Sequence, residues 1–317
     1  MARRKILPKD NDFLLIVLPF VAVGVLIFLF FSQRTKVQIP DSISDIPNTP
    51  LIVSSKKTDA DMAEEKKVQK MQDNFQQLIK QINDQPGVYG LYIKDKNRSL
   101  EFKYNELNEF YAASLFKLPV AAATLKQIEN NHLQKDTKIT YMPLDYSEGT
   151  GVINSYNYGI QLKVDEVLTE LLKNSDNTAQ NMLLRTIQYK NVEDTFKALV
   201  PDASSSTFFR YNTSTPYEIS YIIDKLYFGS YLTKDDRTYL KDLLIGTSFE
   251  DRISAYLKPN MKFSHKIGSW PETWHDCGVV YSAYNQVIVC LMSTKAPYED
   301  YLNVAKLVGD FVSNNYD

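Results

Sequence analysis

The chain has 317 residues, is 44% hydrophobic and carries a net charge of −2, enough to bury a sizeable core. No long basic run follows the N-terminal apolar segment, so no nucleic-acid partner is expected. Three scattered histidines (His132, His265, His275) and two cysteines without metal-ligand spacing argue against a zinc site, a histidine triad or a disulfide framework, and no cofactor is called for.

In chain order, Arg3, Arg4, Lys5 and Lys9 precede Phe13 to Phe31, nineteen residues without a charge. At about 1.5 Å per residue this run can cross a bilayer core of about 30 Å. The positive cluster before it predicts a cytoplasmic stub (1–12), an uncleaved single-pass anchor (13–32) and everything later outside the cytoplasm. Phe-Phe-Ser-Gln-Arg is a poor cleavage site, which argues against a signal peptide. Pro40, Pro47 and Pro50 among Ser, Asp and Thr mark 33–59 as a linker, leaving 60–317 as the folded domain.

Apolar residues at three-to-four spacing predict a helix over Asp61–Asn83. Val88–Ile93 and Ser99–Tyr104 then read as a strand hairpin, followed by a helix from Ser114 to about Asn130 and a mostly irregular stretch over 131–160. Helical patterns recur at Val164–Lys173, Ala179–Gln188, Val192–Leu199, Tyr217–Tyr227, Lys234–Leu244 and Ser248–Leu257. Lys262–Ile267, Gly278–Ser282 and Gln286–Met292 are strands, and Pro297–Asn314 is a closing helix. Strands at both ends and helices between predict an α+β fold: a five-stranded antiparallel sheet flanked by the terminal helices, plus an all-helical lobe. Cys277 and Cys290, both in predicted strands, read as buried free thiols.

Three short motifs fall at the junctions of these lobes. Ser114-x-x-Lys117 opens a helix, so its lysine stacks one turn beyond the serine and sets an amine beside a hydroxyl. Ser54 and Lys57 repeat the spacing, but in the linker. Ser175-Asp176-Asn177 precedes a helix, where such a triplet also serves as an N-cap. Lys266-Ile267-Gly268-Ser269 ends a strand.

Together, in this order, the motifs resemble those of class A β-lactamases and penicillin-binding proteins. Tyr111–Pro119, Gly149–Ile153, Asn174–Ala179 and Asp276–Val280 also look like family segments, and the likeness runs from about residue 60 to the end. The resemblance implies a catalytic set of Ser114, Lys117, Ser175 and Lys266, with Asn177, Gly268 and Ser269 against the substrate. Ser114 would attack a carbonyl whose oxyanion is held by the N–H groups of Ser114 and Ser269. Lys117, crowded by Lys266, would be the base, and Ser175 would relay a proton to the leaving nitrogen. The implied partners are a β-lactam or a peptidoglycan-type peptide. The implied activities are β-lactam hydrolysis or D-Ala-D-Ala carboxypeptidase action, with a non-catalytic envelope-binding domain as the other outcome.

Two departures stand out. Ile267 occupies the place of the family's carboxylate-binding hydroxyl, which Ser269, on the same side of an extended strand, can supply instead. The loop glutamate that activates water in class A enzymes has no counterpart between Val200 and Pro216. Asp202 and Glu218 are the nearby carboxylates, and Glu218 reads as a helix-dipole residue. A missing base predicts fast acylation and slow release. Trp270 and Trp274 either line the cleft rim or pack their loop onto the sheet.

Overall fold

The computed structural model describes residues 58–200, 202 and 206–316. The predicted stub and anchor, and all but the end of the linker, lie outside these residues. Among the described residues no helix is long and apolar enough to cross a membrane.

Helix α1 (Asp59–Asn83) starts two residues earlier than its apolar period suggests, because Thr58 caps it. The Thr58 hydroxyl accepts from Asp61 N, and the Asp61 carboxylate accepts from Thr58 N, so two orphan donors are satisfied. Its Met71, Phe75, Leu78 and Ile82 are buried, as the spacing predicts. Strands β1 (Val88–Asp95), β2 (Glu101–Tyr104) and β3 (Phe110–Tyr111) follow. The predicted Ser114 helix is a 3₁₀ turn (Ala113–Phe116) running into α2 (Lys117–Glu129). The middle of the chain holds β4 (Lys138–Thr140), β5 (Gln161–Lys163), α3 (Val164–Lys173), α4 (Asn177–Ile187), α5 (Tyr189–Leu199), α6 (Phe208–Tyr211), β6 (Thr213–Ser214), α7 (Pro216–Phe228) and α8 (Lys234–Leu243). Strands β7 (Lys262–Trp270), β8 (Thr273–Tyr281) and β9 (Gln286–Thr294) and helix α9 (Tyr298–Asn315) complete the domain.

The sheet runs β2-β1-β9-β8-β7, all antiparallel, so the two chain ends meet at the β1–β9 pair as expected. Strand β9 shows why its sequence is an unbroken apolar run. Val287, Val289 and Leu291 join one core, with α1 and α9. Ile288, Cys290 and Met292 join the other, with α2 to α5 and α7. Side chains alternate across a strand, so a sheet covered on both faces must be apolar at every position. Truncating Leu291, fully buried, to alanine costs about 2–5 kcal/mol.

Three expectations are corrected. Ser248–Leu257 is not a helix; only Ile253–Tyr256 forms a 3₁₀ turn. Tertiary hydrogen bonds outcompete the local period there: Thr247 N donates to Glu250 Oε1, Ile253 N donates to Asp276 Oδ2, and Arg252 is drawn under the sheet. Strand β7 does not stop at Ile267 but carries the whole third motif to Trp270, where Pro271-Glu272 turns the chain. Cys277 and Cys290 are not free thiols. They face each other across β8 and β9 with Cα atoms 4.0 Å apart and form a disulfide. Strand register, not sequence spacing, brings them together.

Candidate active site

Ser114 lies in the 3₁₀ turn after Ala113, whose φ of 49° is left-handed. A non-glycine residue there costs on the order of 1–3 kcal/mol and persists only under tertiary restraint. Asn212 supplies part of that restraint: its carbonyl accepts from Ala112 N (2.7 Å) and its side-chain amide donates to Ala113 O (3.1 Å).

Lys117 is 1% exposed and its Nζ lies 2.9 Å from Ser114 Oγ. It also reaches Ser175 O (2.7 Å), Asn177 Oδ1 (2.6 Å) and Ser175 Oγ (3.3 Å). The Asn177 amide orientation follows from its Nδ2 donating to Glu148 O (2.8 Å). Ser175 O and Asn177 Oδ1 can only accept, so they take two N–H bonds from the amine. Burial lowers the Lys117 pKa to about 7, against the opposing field of Asp176. A neutral amine so tethered turns its lone pair to Ser114 and accepts the hydroxyl hydrogen. Burial, rather than the Lys266 charge, is the main cause of that shift.

Ser175 is fully buried and also left-handed, with φ 51°. Its neighbour Asp176 is the N-cap of α4 and accepts from Ala179 N (2.8 Å). The triplet is therefore both a helix cap and part of the site. The other Asp176 oxygen accepts from Val152 and Ile153 N, which folds the 149–153 loop against the motif. Gly151 permits this: its φ is +120° and a Cβ would sit 2.2 Å from the Asp176 carboxyl carbon.

Lys266 is 1% exposed and donates to Ser175 Oγ (2.8 Å) and Ile267 O (3.0 Å). Burial, then the charges of Lys117 and Arg252, hold it well below the usual lysine range, with Asp276 opposing. Because both amines reach Ser175, their protons are lost as a coupled pair. His265 N donates outward to Leu244 O, away from β8. Antiparallel alternation then places the Ile267 and Ser269 N–H groups on the same outer edge of β7. Gly268 is a place of close approach: a Cβ would meet Ala112 O and His275 Cδ2, each at 2.8 Å.

Ile267 is buried on the sheet face opposite Lys266. The Ser269 hydroxyl, on that same face, accepts from Arg252 Nη2 (2.6 Å). Arg252 Nη1 donates to Gly268 O (3.0 Å) and His275 O (2.5 Å), and its guanidinium lies 5.6–5.9 Å from the Trp274, Tyr298 and Tyr301 rings. Among the described residues it forms no salt bridge. Sequence reading missed Arg252, a lone arginine in an irregular stretch with no motif around it. The two tryptophans divide the roles left open above. Trp270 is 59% exposed against the Tyr111 ring beside the cleft, while Trp274 packs on Tyr298 and donates to Ala296 O.

Among the described residues no carboxylate hydrogen-bonds Ser114 Oγ or Lys117 Nζ. Glu218 accepts from Ser214 Oγ and, with Asp202 and Glu109, lines a separate hollow to which Ser114, Lys117, Ser175 and Lys266 contribute nothing. Among the described residues, Phe116 instead meets the rings of Phe196, Phe208 and Phe209 at 5.3–6.4 Å.

A two-lobed α+β fold with a buried lysine on a serine hydroxyl at the lobe junction defines a serine hydrolase that works without histidine. A family model described as "Beta-lactamase enzyme family" matches residues 70–316, and the chain belongs to that family. Its curated relatives include a β-lactamase of Mycobacterium tuberculosis, 25% identical over 247 residues (72% of this chain, 74% of the relative). Another is a β-lactamase of Bacillus amyloliquefaciens, 27% identical over 241 residues (70% and 75%). The fold matches that of PBP-A with a TM-score of 0.70 at 20% identity, covering 77% of this chain and 96% of that one. It also matches an ancestral class A β-lactamase with a TM-score of 0.69 at 22% identity, covering 77% and 100%. A PBP-A mutant of the same fold was captured as an acyl-enzyme complex with penicillin G.

Proposed function

We propose that the protein forms a Ser114 acyl-enzyme with β-lactams and D-Ala-D-Ala-type peptides and releases it slowly, as a penicillin-binding peptidase does rather than an efficient β-lactamase. The observation that carries this reading is the Lys117 amine 2.9 Å from Ser114 Oγ, in a site where no described carboxylate touches either group. The Ser114 O–H proton passes to Lys117 as Oγ attacks the carbonyl carbon. The Ser114 and Ser269 N–H groups take the developing oxyanion. Ser175 Oγ, between both lysines, returns the proton to the leaving nitrogen as the C–N bond breaks. Asn177 holds the substrate's amide side chain.

Ser269, with Arg252 donating to its hydroxyl, takes over carboxylate recognition from the hydroxyl that Ile267 lacks. Deacylation needs a base for water, and general-base catalysis typically contributes 10²–10⁴-fold. Its absence leaves the acyl-enzyme long-lived. The curated relatives named β-lactamase favour β-lactam recognition. The missing carboxylate favours peptidase-like kinetics over hydrolysis.

We place the domain outside the cytoplasm, tethered by the anchor predicted over 13–32, a reading supported by the disulfide, since such bonds persist in oxidising compartments. Incubating the purified protein with a fluorescent penicillin tests the activity. A stable label absent in Ser114→Ala, with little turnover of a chromogenic cephalosporin, is expected; no label and no turnover removes the catalytic reading. Protease added to intact cells should degrade the domain, and full protection reverses the topology.

A further inference from the structure

We propose that His275 is a positioning residue for acylation: its imidazole bridges the five-stranded sheet to the segment that presents Ser114. His275 is fully buried on β8, opposite Gly268 of β7 and Met292 of β9. Its Nε2–H donates to Tyr111 O (2.8 Å), and its Nδ1 accepts from Ser293 N (3.3 Å). A carbonyl only accepts and an amide N–H only donates, so these two partners fix the neutral Nε2–H tautomer. Burial, which lowers the imidazole pKa to about 4, keeps it neutral at working pH.

The ring crosses β7 at the one position without a side chain. A Cβ on Gly268 would meet His275 Cδ2 at 2.8 Å and Ala112 O at 2.8 Å. The glycine of the third motif therefore clears a path for the imidazole as well as for the Ser114 turn. Tyr111 stands three residues before Ser114, and the left-handed Ala113 lies between them. Among the described residues, the His275 bond is the sole hydrogen bond from the five-stranded sheet to Tyr111–Phe116. The other anchors of that segment, Asn212 and the β3–β6 pair, belong to the chain before α7. His275 thus holds Ser114 in register with Lys266 and the Ser269 N–H, which ride on β7. It touches no substrate, and its action passes through the backbone. Small misplacements of reacting groups can cost about 10²-fold in rate.

This inference rests on Ser114 being the acylated residue, and the experiment separates the two claims. Acylation rate constants and saturation constants for a fluorescent penicillin are measured on wild type, His275→Leu and His275→Gln, with thermal melts. The leucine fills the space without a donor; the glutamine keeps one. His275→Leu is expected to lose at least about tenfold in the acylation rate constant with its saturation constant little changed, and His275→Gln to stay within about threefold of wild type. Wild-type acylation by a folded His275→Leu overturns the proposal. If His275→Leu does not fold, a folded His275→Gln that loses tenfold overturns it, and one that stays within threefold supports it. If wild type takes no label, the functional reading fails and the crystal structure of His275→Leu decides this one. Tyr111 O drawn away from β7, with Ser114 displaced relative to Lys266, supports it; an unmoved Ser114 overturns it.

Discussion

Lys117 is the residue on which the chemistry turns, because its environment decides which atom holds the proton at rest. Burial brings its pKa to about 7, so near neutrality a large share of the molecules carry an unprotonated amine beside Ser114. In the proposed mechanism the unprotonated form is the competent base. Acylation should therefore rise with pH and level off above an apparent pKa near 7, a value that belongs to the Lys117–Lys266 pair. Stopped-flow acylation from pH 5 to 9 checks this, and a flat profile contradicts it. Lys117→Ala should acylate about 10²–10⁴-fold more slowly at pH 8. Ser114, Lys117, Ser175, Asn177 and Lys266 were legible in the sequence because each sits in a short motif whose spacing means something on a helix or strand. Arg252 and His275 were not. Their partners lie far along the chain (His275 and Tyr111 are 164 residues apart), and pairings across a fold leave no local period.

At the scale of elements, the β7–β8 hairpin anchors the irregular 247–257 segment that carries Arg252. His265 Nδ1 and Asp276 Oδ1 lie 2.5 Å apart, and Nε2 faces Glu250 at 3.4 Å. Burial alone would lower the His265 pKa, but the two carboxylates outweigh it and raise the value to about 9. A folded value above the unfolded one stabilises the protein fully below about pH 6.5, and that contribution fades as pH rises through about 9. Lys117 and Lys266, both lowered, shift stability with the opposite sign, so wild type alone is uninformative. The difference in unfolding free energy between wild type and His265→Gln cancels them. It should shrink by on the order of 3 kcal/mol from pH 6 to 9.5; a constant difference refutes the charged histidine. The fully buried Cys277–Cys290 bridge joins β8 to β9. The Cys277→Ser, Cys290→Ser double variant should lose about 2–4 kcal/mol in chemical denaturation. Helix and strand identities were largely readable from period alone. The Ser248–Leu257 helix failed because side-chain and backbone bonds to Asp276, Gly268 and His275 took the chain elsewhere.

At the scale of the whole folded domain, one sheet separates two cores, and the site forms where the helical core meets β7. Ala113, just before Ser114, and Ser175, each left-handed, are held there by contacts drawn from both sides of the junction. The α+β layout was legible because strands cluster at the two chain ends. The lack of a loop glutamate between Val200 and Pro216 was legible as a missing motif; the aromatic contacts of Phe116 and the bond from Asn212 to the Ser114 turn depend on packing and were not. On the proposed reading, this domain starts an acyl transfer with Ser114 and Lys117 and finishes it without a described base. Time-resolved intact-mass spectrometry after mixing with benzylpenicillin tests that claim most directly. One stoichiometric adduct, formed quickly, persisting for many times its formation time and absent in Ser114→Ala, is the predicted result. Rapid hydrolysis with no accumulated adduct, or no reaction at all, would contradict it.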